Sequence, residues 1–481
     1  MTRYLTIVST LIFAFLPFGS SSQARDSKPG ASNSVGVARD GAAIPAPRLD
    51  QAAIAAGGYS LAQLRRRGLE MFTTPFNKYD GHGDGPPGPD PTIFGQRPTT
   101  NGTWLRINGL DSQTCQECHA FVSMATIPPT LGIAGVAGIA NTAFPRVTRM
   151  DIEDLDGTGI ADVNGRLINP PFLYGAGGVE LAGKEMTQEL QGLKALAQAN
   201  PGTPVPLVTK GVDFGTIMYT GSGFDLSGIE GIDDDLVVRP FGRKGSFATV
   251  RGFDVDALQF HLGMQAEELV GTGVDADGDG VVNEVLVGEL SAMHIFGVTL
   301  ERPQQVAGND PSVQRGAVLF ASEGCASCHM PVLETISVLL NIAYPEVDTD
   351  PTANVFRQID LSQGSAGFTV NAAGGITVPL HSDLKRHDMG SELAETGNKP
   401  DDAFFITPRL WGISDTAPYL HDGRALTIRD AIESHAGEGQ FAANNFLGLS
   451  AVEQDDLLTY LDSLRTPTNP AKGIDQPLRF Y

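Results

Sequence analysis

The chain has 481 residues, with 33 Lys and Arg against 56 Asp and Glu, a formal net charge of −23. That balance argues against a nucleic-acid binder, which needs a basic face, and against docking on anionic lipid. At 41% hydrophobic content the chain is no disordered polymer, its 57 glycines and 31 prolines point to a loop-rich fold, and its length suits two or three domains of roughly 100–200 residues each.

Read in chain order, Arg3 supplies a positive start and Leu5 to Phe18 an apolar run. Ser22-Gln23-Ala24 is a small-x-small cleavage site. Residues 1–24 are therefore predicted to be a signal peptide, with the protein periplasmic or secreted. No later apolar run is long enough to span a membrane, so no integral segment is expected after cleavage. Residues 25–58 are rich in Ser, Pro, Gly and Ala and read as a flexible leader. Arg67-Gly68-Leu69-Glu70-Met71-Phe72 has the spacing of a short amphipathic helix. It is separated by 42 residues from Cys115-Gln116-Glu117-Cys118-His119. The same pairing recurs later: Arg315-Gly316-Ala317-Val318-Leu319-Phe320 precedes Cys325-Ala326-Ser327-Cys328-His329 by four residues.

Both motifs are C-x-x-C-H, the attachment pattern of c-type haem. Two thiols add to the vinyl groups of one porphyrin, and the adjacent histidine reaches the iron as proximal ligand. An exported chain would ordinarily use its cysteines in disulfides, and a pair of C-x-x-C units suits zinc. Here the two motifs consume all four cysteines, each is followed by His, and two covalently bound haem c groups are the expectation. The repeat predicts two cytochrome c-like haem domains, mainly α with long irregular loops and insertions in the N-terminal half, at 59–305 and 306–481. Residues 120–240, glycine-rich with scattered apolar segments, are expected to wrap the first haem irregularly.

Each iron has a sixth position to fill, and its occupant decides between electron transfer and substrate binding. Asp256 to Gln265 reads as helical, with Phe253, Ala257, Phe260, His261 and Met264 on one face. The first haem's sixth ligand is thus His261, Met264 or none. Thr427 to His435 also reads as a helix, with Ile428, Ala431, Ile432 and His435 on one face and Gly437 and Gly439 ending it. An imidazole in such a stripe is ordinarily a hydrogen-bonded core histidine. A nearby iron makes His435 the candidate ligand of the second haem. Between these helices, Asp275-Ala276-Asp277-Gly278-Asp279-Gly280 matches the first half of a calcium loop, with Asn283 or Glu284 to complete the shell. Position twelve is Leu286, so it is no EF-hand, and a plain polar turn is the competing reading. Asp154, Asp156 and Asp162 form a weaker version.

From Gly316 to Thr466 the chain resembles the bacterial di-haem oxidoreductases of the di-haem cytochrome c peroxidase superfamily. The resemblance runs through Cys325 to His329, Ser382 to Gly390, Pro408-Arg409-Leu410-Trp411-Gly412, Ala417-Pro418-Tyr419-Leu420-His421-Asp422-Gly423-Arg424-Ala425 and Ala431 to His435. It is looser around Asn108 to Leu110, Cys115 to His119 and Phe241 to Met264. It implies that His435 stands where the peroxidases hold a Met ligand, giving a bis-His, low-potential second haem. It implies that His421 and Arg424 support a haem edge and its propionates, and a guanidinium is the natural bidentate partner of a carboxylate. Two departures accompany it. Gly263 falls where the superfamily has an acid/base Glu, and Arg243 where it has an inter-haem Trp. Glu267 and Glu268 lie nearby but read more simply as a solvated helix end.

The expected function is an exported di-haem c-type cytochrome oxidoreductase, peroxidase-like at one haem. The alternative is a pure electron-transfer cytochrome with both irons six-coordinate. The partner is expected to be a small soluble redox protein, basic by charge steering, or a small-molecule substrate.

Overall fold

The two copies of the sequence repeat become two helix crossings. The computed structural model describes residues 41–82, 114–115, 119, 152–153, 162–163, 169–171, 173–395 and 402–467. In it the first copy lies in α2 (Leu61–Thr73) and the second in α7 (Pro311–Ser322). Each starts with a local signal: Ser60 and Gln63 form a capping box, and Asp310 caps α7 with Pro311 in its first turn. Helix α2 crosses α6 (Val287–Val298), and α7 crosses α10 (Ala451–Asp462). Gly68 and Gly316 sit at the crossings. A Cβ on Gly68 would lie 2.1 Å from the Ala292 carbonyl oxygen, and one on Gly316 2.0 Å from that of Asp456. Backbone meets backbone there, and only glycine permits it. Replacing Gly316 by Ala is therefore expected to cost about 1–3 kcal/mol in denaturant unfolding. Gly308→Ala, with nothing within 4 Å of its added carbon, serves as a near-neutral control.

The remaining α-helices among the described residues are α1 (Gln51–Ala55), α3 (Ala176–Ala199), α4 (Val250–Leu262), α5 (Glu267–Val270), α8 (Ile428–Glu433) and α9 (Gln440–Gly448). Helices predominate, but small antiparallel sheets of two or three strands accompany them. Val205–Thr209, Val212–Tyr219 and Phe224–Asp225 form one such sheet. It lies, with the 24-residue α3, in the stretch expected to be irregular, which corrects that expectation from residue 176 onward. Helix α3 shows no stripe because every residue from Ala176 to Thr187 is buried. Its Gly177 and Gly178 lie against the Val298 carbonyl and the Phe368 ring.

The described residues from 41 onward belong to one compact unit, and residues 1–40, with the whole expected signal peptide and the first part of the leader, lie outside the described residues. Packing already starts within the expected leader. Ile44, Leu49 and Ile54 are buried and Arg48 pairs with Glu289, so residues 41–58 are not a flexible tether. Two apolar clusters are each confined to one half. One joins Ile44, Met71, Phe76, Leu262, Met264 and Met293, with Cys115 packed on it. The other joins Val313, Phe320, Phe446, Leu457, Tyr460 and Leu461, with Cys325 packed on it. A third and larger cluster takes residues from both halves, from Leu49 to Trp411. Among the described residues, no helix is long and apolar enough to cross a membrane.

Candidate haem sites

The C-terminal motif folds as a 3-10 turn, Cys325–Ser327, entered through Gly324 at φ +92°, a conformation that glycine adopts without strain. Cys325 and Cys328 carry no disulfide, nor does Cys115. His329 Nδ1 donates to the His381 carbonyl at 3.2 Å, which turns Nε2 outward. His381 is in the left-handed region at φ +57°, unusual for a non-glycine residue. Its ring is held at both nitrogens, Nδ1 donating to the Pro379 carbonyl at 3.0 Å and Nε2 accepting from the Tyr460 hydroxyl at 2.7 Å. His381 is thus no ligand but the mount that aims its carbonyl at His329.

His435 lies just past α8, whose capping box is Thr427 and Asp430. Its Nδ1 donates to the Ala431 carbonyl at 2.8 Å, so its Nε2 also points away from its own helix. The His329 and His435 ring centroids are 6.3 Å apart. Burial lowers both imidazoles, His329 to about 4, so both are neutral and ready to ligate at pH 7. Close by, His387 sits between Asp383 (2.8 Å) and Glu438 (2.7 Å), 3.9 Å from the Cys328 sulfur. Burial opposes its charge, but the Asp383 hydrogen bond and the other partners outweigh it and raise His387 to about 11.

In the N-terminal half Cys115 and His119 are described, and Cys118 lies outside the described residues. His119 Nδ1 donates to the Pro171 carbonyl at 3.0 Å, the same arrangement as at His329 and His435. Burial lowers it to about 4. Helix α4 reaches this histidine through Phe253, edge-on at 6.3 Å. His261 is in the last turn of α4, half-buried. Gly263 ends the helix at φ +64°, so Met264 does not continue the helical face expected of it; it is fully buried in the N-terminal cluster instead. Glu267 accepts from Thr272 and the Val287 N–H, and Glu268 pairs with buried Arg251, so both have structural duties. Asp254 on α4 went unnoticed in the sequence. Burial raises it to about 8, and its Oδ2 has no hydrogen-bond partner among the described residues.

The two halves meet through residues 169–171. Next to Pro171, the Asn169 main-chain N–H donates to the His421 carbonyl at 2.8 Å, and its side-chain amide to those of Pro418 and Leu420. His421 stacks on Phe405 at 4.5 Å, and Lys244 covers that ring at 3.7 Å. Burial lowers His421 to about 4, although Asp422 and Glu395 oppose it. Arg424 pairs with Asp422 at 2.6 Å and donates to the Glu392 carbonyl at 2.8 Å. Arg243 pairs with Glu395. At the acidic loop, Asp275, Asp277 and Asp279 bring one oxygen each within 4.8 Å of the others. Asn283 Oδ1 and Glu284 Oε2 accept main-chain N–H bonds from Gly273 and Gln265 and so fasten the loop. Asp154 and Asp156 lie outside the described residues.

Residues 353–464 match the family model described as "Di-haem oxidoreductase, putative peroxidase". This matched C-terminal stretch is similar to the di-haem oxidoreductases and cytochrome c peroxidases. Cytochrome-c peroxidase IdrP1 of Denitromonas iodatirespirans is 27% identical over 33% of this chain and 41% of its own length. Cytochrome-c peroxidase IdrP2 of the same organism is 24% identical over 37% of this chain and 50% of its own. The chain thus spans half or less of these relatives. Among solved structures, a MauG-like protein associated with microbial copper homeostasis is 19% identical over 40% of this chain and 57% of that one, at a TM-score of 0.25.

The family implies haem, and the C-terminal site fits it. Two metal–imidazole bonds of about 2.0 Å and two half-rings of about 1.1 Å span about 6.2 Å. That is close to the 6.3 Å spacing of His329 and His435.

Proposed function

We propose that this protein is an exported di-haem c-type cytochrome oxidoreductase with a small substrate, a peroxide by the names of its relatives, acting at the N-terminal haem. Haem iron bound at these sites supplies one-electron redox chemistry. Cys325 and Cys328 would tether the C-terminal haem, and His329 and His435 would ligate its iron, leaving it no room for a substrate. Cys115, Cys118 and His119 would hold the other haem. His421 and Arg424 belong to a loop suited to a haem edge, where Asp422 and a propionate would compete for the guanidinium. The observation that carries the reading is the 6.3 Å facing of His329 and His435, each aimed by an Nδ1 bond to a backbone carbonyl. Export rests on the sequence signals around Arg3, Leu5 to Phe18 and Ala24.

A second reading, electron transfer alone, is favoured by one feature. Gly263 occupies a left-handed cap where the family resemblance puts an acid/base Glu, and cleaving a peroxide requires a group that moves a proton between its oxygens. Adding cyanide or hydrogen peroxide to the fully oxidised and half-reduced protein separates the two. The first reading expects one haem, and only one, to change its spectrum in at least one redox state. No change in any state would leave electron transfer alone, and a high-spin haem at neutral pH would remove that second reading.

Asp254 supplies a pH test of the N-terminal interior. Its folded pKa is raised from 3.8 to about 8. Its contribution is therefore fully present below about pH 4 and is lost as pH rises through 8. Asp254→Asn, which stays neutral, is expected to melt higher than wild type at pH 9 and to close that gap as pH falls. A gap independent of pH would contradict the burial argument.

A further inference from the structure

We propose that Asp275, Asp277 and Asp279 form a binding site for one calcium ion, separate from both haem sites. Three carboxylate oxygens on a tight loop, all within 4.8 Å of one another, repel at neutral pH unless positive charge lies between them. Neither Asp275 nor Asp277 has a Lys, Arg or His partner among the described residues. The observation that points to a ligand is Asp277. It is 2% exposed, its Oδ1 accepts from the Asp279 N–H at 3.3 Å, and its buried Oδ2 has no hydrogen-bond partner among the described residues. Buried carboxylate oxygens are ordinarily satisfied, and an orphan one facing two like charges is where a cation belongs.

The other oxygens are already committed to shaping the loop. Asp275 accepts from the Gly278 and Gly280 N–H groups at 2.8 and 3.0 Å, and Asp279 Oδ1 from that of Val281 at 2.6 Å. Asp275 is exposed, which gives an ion a way in from solvent. The donor set is oxygen only, with no nitrogen or sulfur, and alternate-position carboxylates on a glycine turn suit the 2.3–2.6 Å bonds and adaptable shell of calcium. The loop is fastened to the first haem's half. The Ala276 N–H donates to the Gln265 side chain at 3.1 Å, and the Gln265 N–H to Glu284 at 2.7 Å, so the ion would stiffen the segment that follows Met264.

The test titrates calcium chloride calorimetrically into the full chain after removal of metal by chelator, for wild type and Asp277→Asn, and follows melting with and without calcium. Wild type is expected to take up one equivalent more than the variant. Saturating calcium, at about a hundredfold excess over Kd, is expected to raise its melting temperature by about 3–5 °C more than that of the variant. Without calcium the variant should melt at or above wild type, because Asn relieves the repulsion; this sign separates a lost site from a damaged fold. Should Asp277→Asn fold poorly, Asp275→Asn carries the same comparison, since its amide oxygen can still accept from Gly278. Equal stoichiometry and affinity in wild type and variant, or no uptake by wild type, would overturn the proposal. Neither outcome bears on the haem reading, which does not involve these carboxylates.

Discussion

Replacing His435 by methionine is expected to raise the reduction potential of the C-terminal haem by a few hundred millivolts, within the roughly 0.8 V range that axial ligands command. Imidazole donates strongly and favours the oxidised iron, whereas a thioether favours the reduced one. His435→Gly is expected to do more: it opens the sixth position, turns a low-spin haem high-spin, and lets cyanide or added imidazole bind. Imidazole rescue of the low-spin spectrum would show that the lost group was a ligand rather than packing. The geometry limits the alternatives, since the His435 ring faces His329 at 6.3 Å and its Nδ1 is occupied by Ala431. Its Nε2 is the nitrogen left for a metal. A His435→Gly protein with unchanged spectrum and potential would remove this histidine from the account.

The largest expected loss of stability lies away from the haems. Glu180 on α3 is fully buried and accepts from His294 Nε2 at 2.9 Å, Lys184 Nζ at 2.8 Å and the Val250 N–H at 2.9 Å. Lys184 also donates to the Asn341 carbonyl at 2.8 Å. One carboxylate thus joins α3, α6, the start of α4 and the strand Leu339–Ala343. Burial works against its charge, yet His294 and Lys184 prevail and hold it down at about 2. Glu180→Ala takes the nearer carboxylate from a buried ammonium, leaving it Glu346 at 3.5 Å, and is expected to cost about 3 kcal/mol. Replacing Glu180 by Leu and Lys184 by Met together should recover only part of that, because both desolvation penalties disappear but Glu346 loses Lys184 and His294 loses Glu180. The pH dependence has a definite sign. With its folded pKa depressed from 4.5, the Glu180 contribution is in place above about pH 4.5 and is lost as pH falls toward 2. Thermal melts from pH 7 to pH 2.5 on the single and double variants check both statements.

The legible parts of this molecule were those in which chemistry fixes spacing. The two C-x-x-C-H motifs, the Arg-Gly repeat and the apolar stripe leading to His435 all stand in the sequence as residue patterns. The pairing of His435 with His329, about a hundred residues apart, followed from them. The purpose of Gly68 and Gly316 did not, because each glycine answers to a carbonyl more than a hundred residues away, at Ala292 and Asp456. The carbonyls that orient His119 and His329 were equally hidden. Pro171 and His381 act through backbone carbonyls, which any residue type supplies, so no residue pattern marks them. Helix α3 escaped because a segment buried on all sides has no period to read. The helical face that the sequence suggests for Met264 fails because Gly263, in a left-handed conformation, ends α4 one residue before it.

The proposed function requires two porphyrins thioether-bonded to the chain, one in each half. The most direct measurement is the intact mass of the purified protein under denaturing conditions, which strips non-covalent cofactors and keeps thioether-linked ones. The mass expected is that of the processed polypeptide plus two haem groups, falling by one haem in a Cys325→Ala, Cys328→Ala variant. A polypeptide mass with no covalent adduct in the wild type would contradict the account at its root.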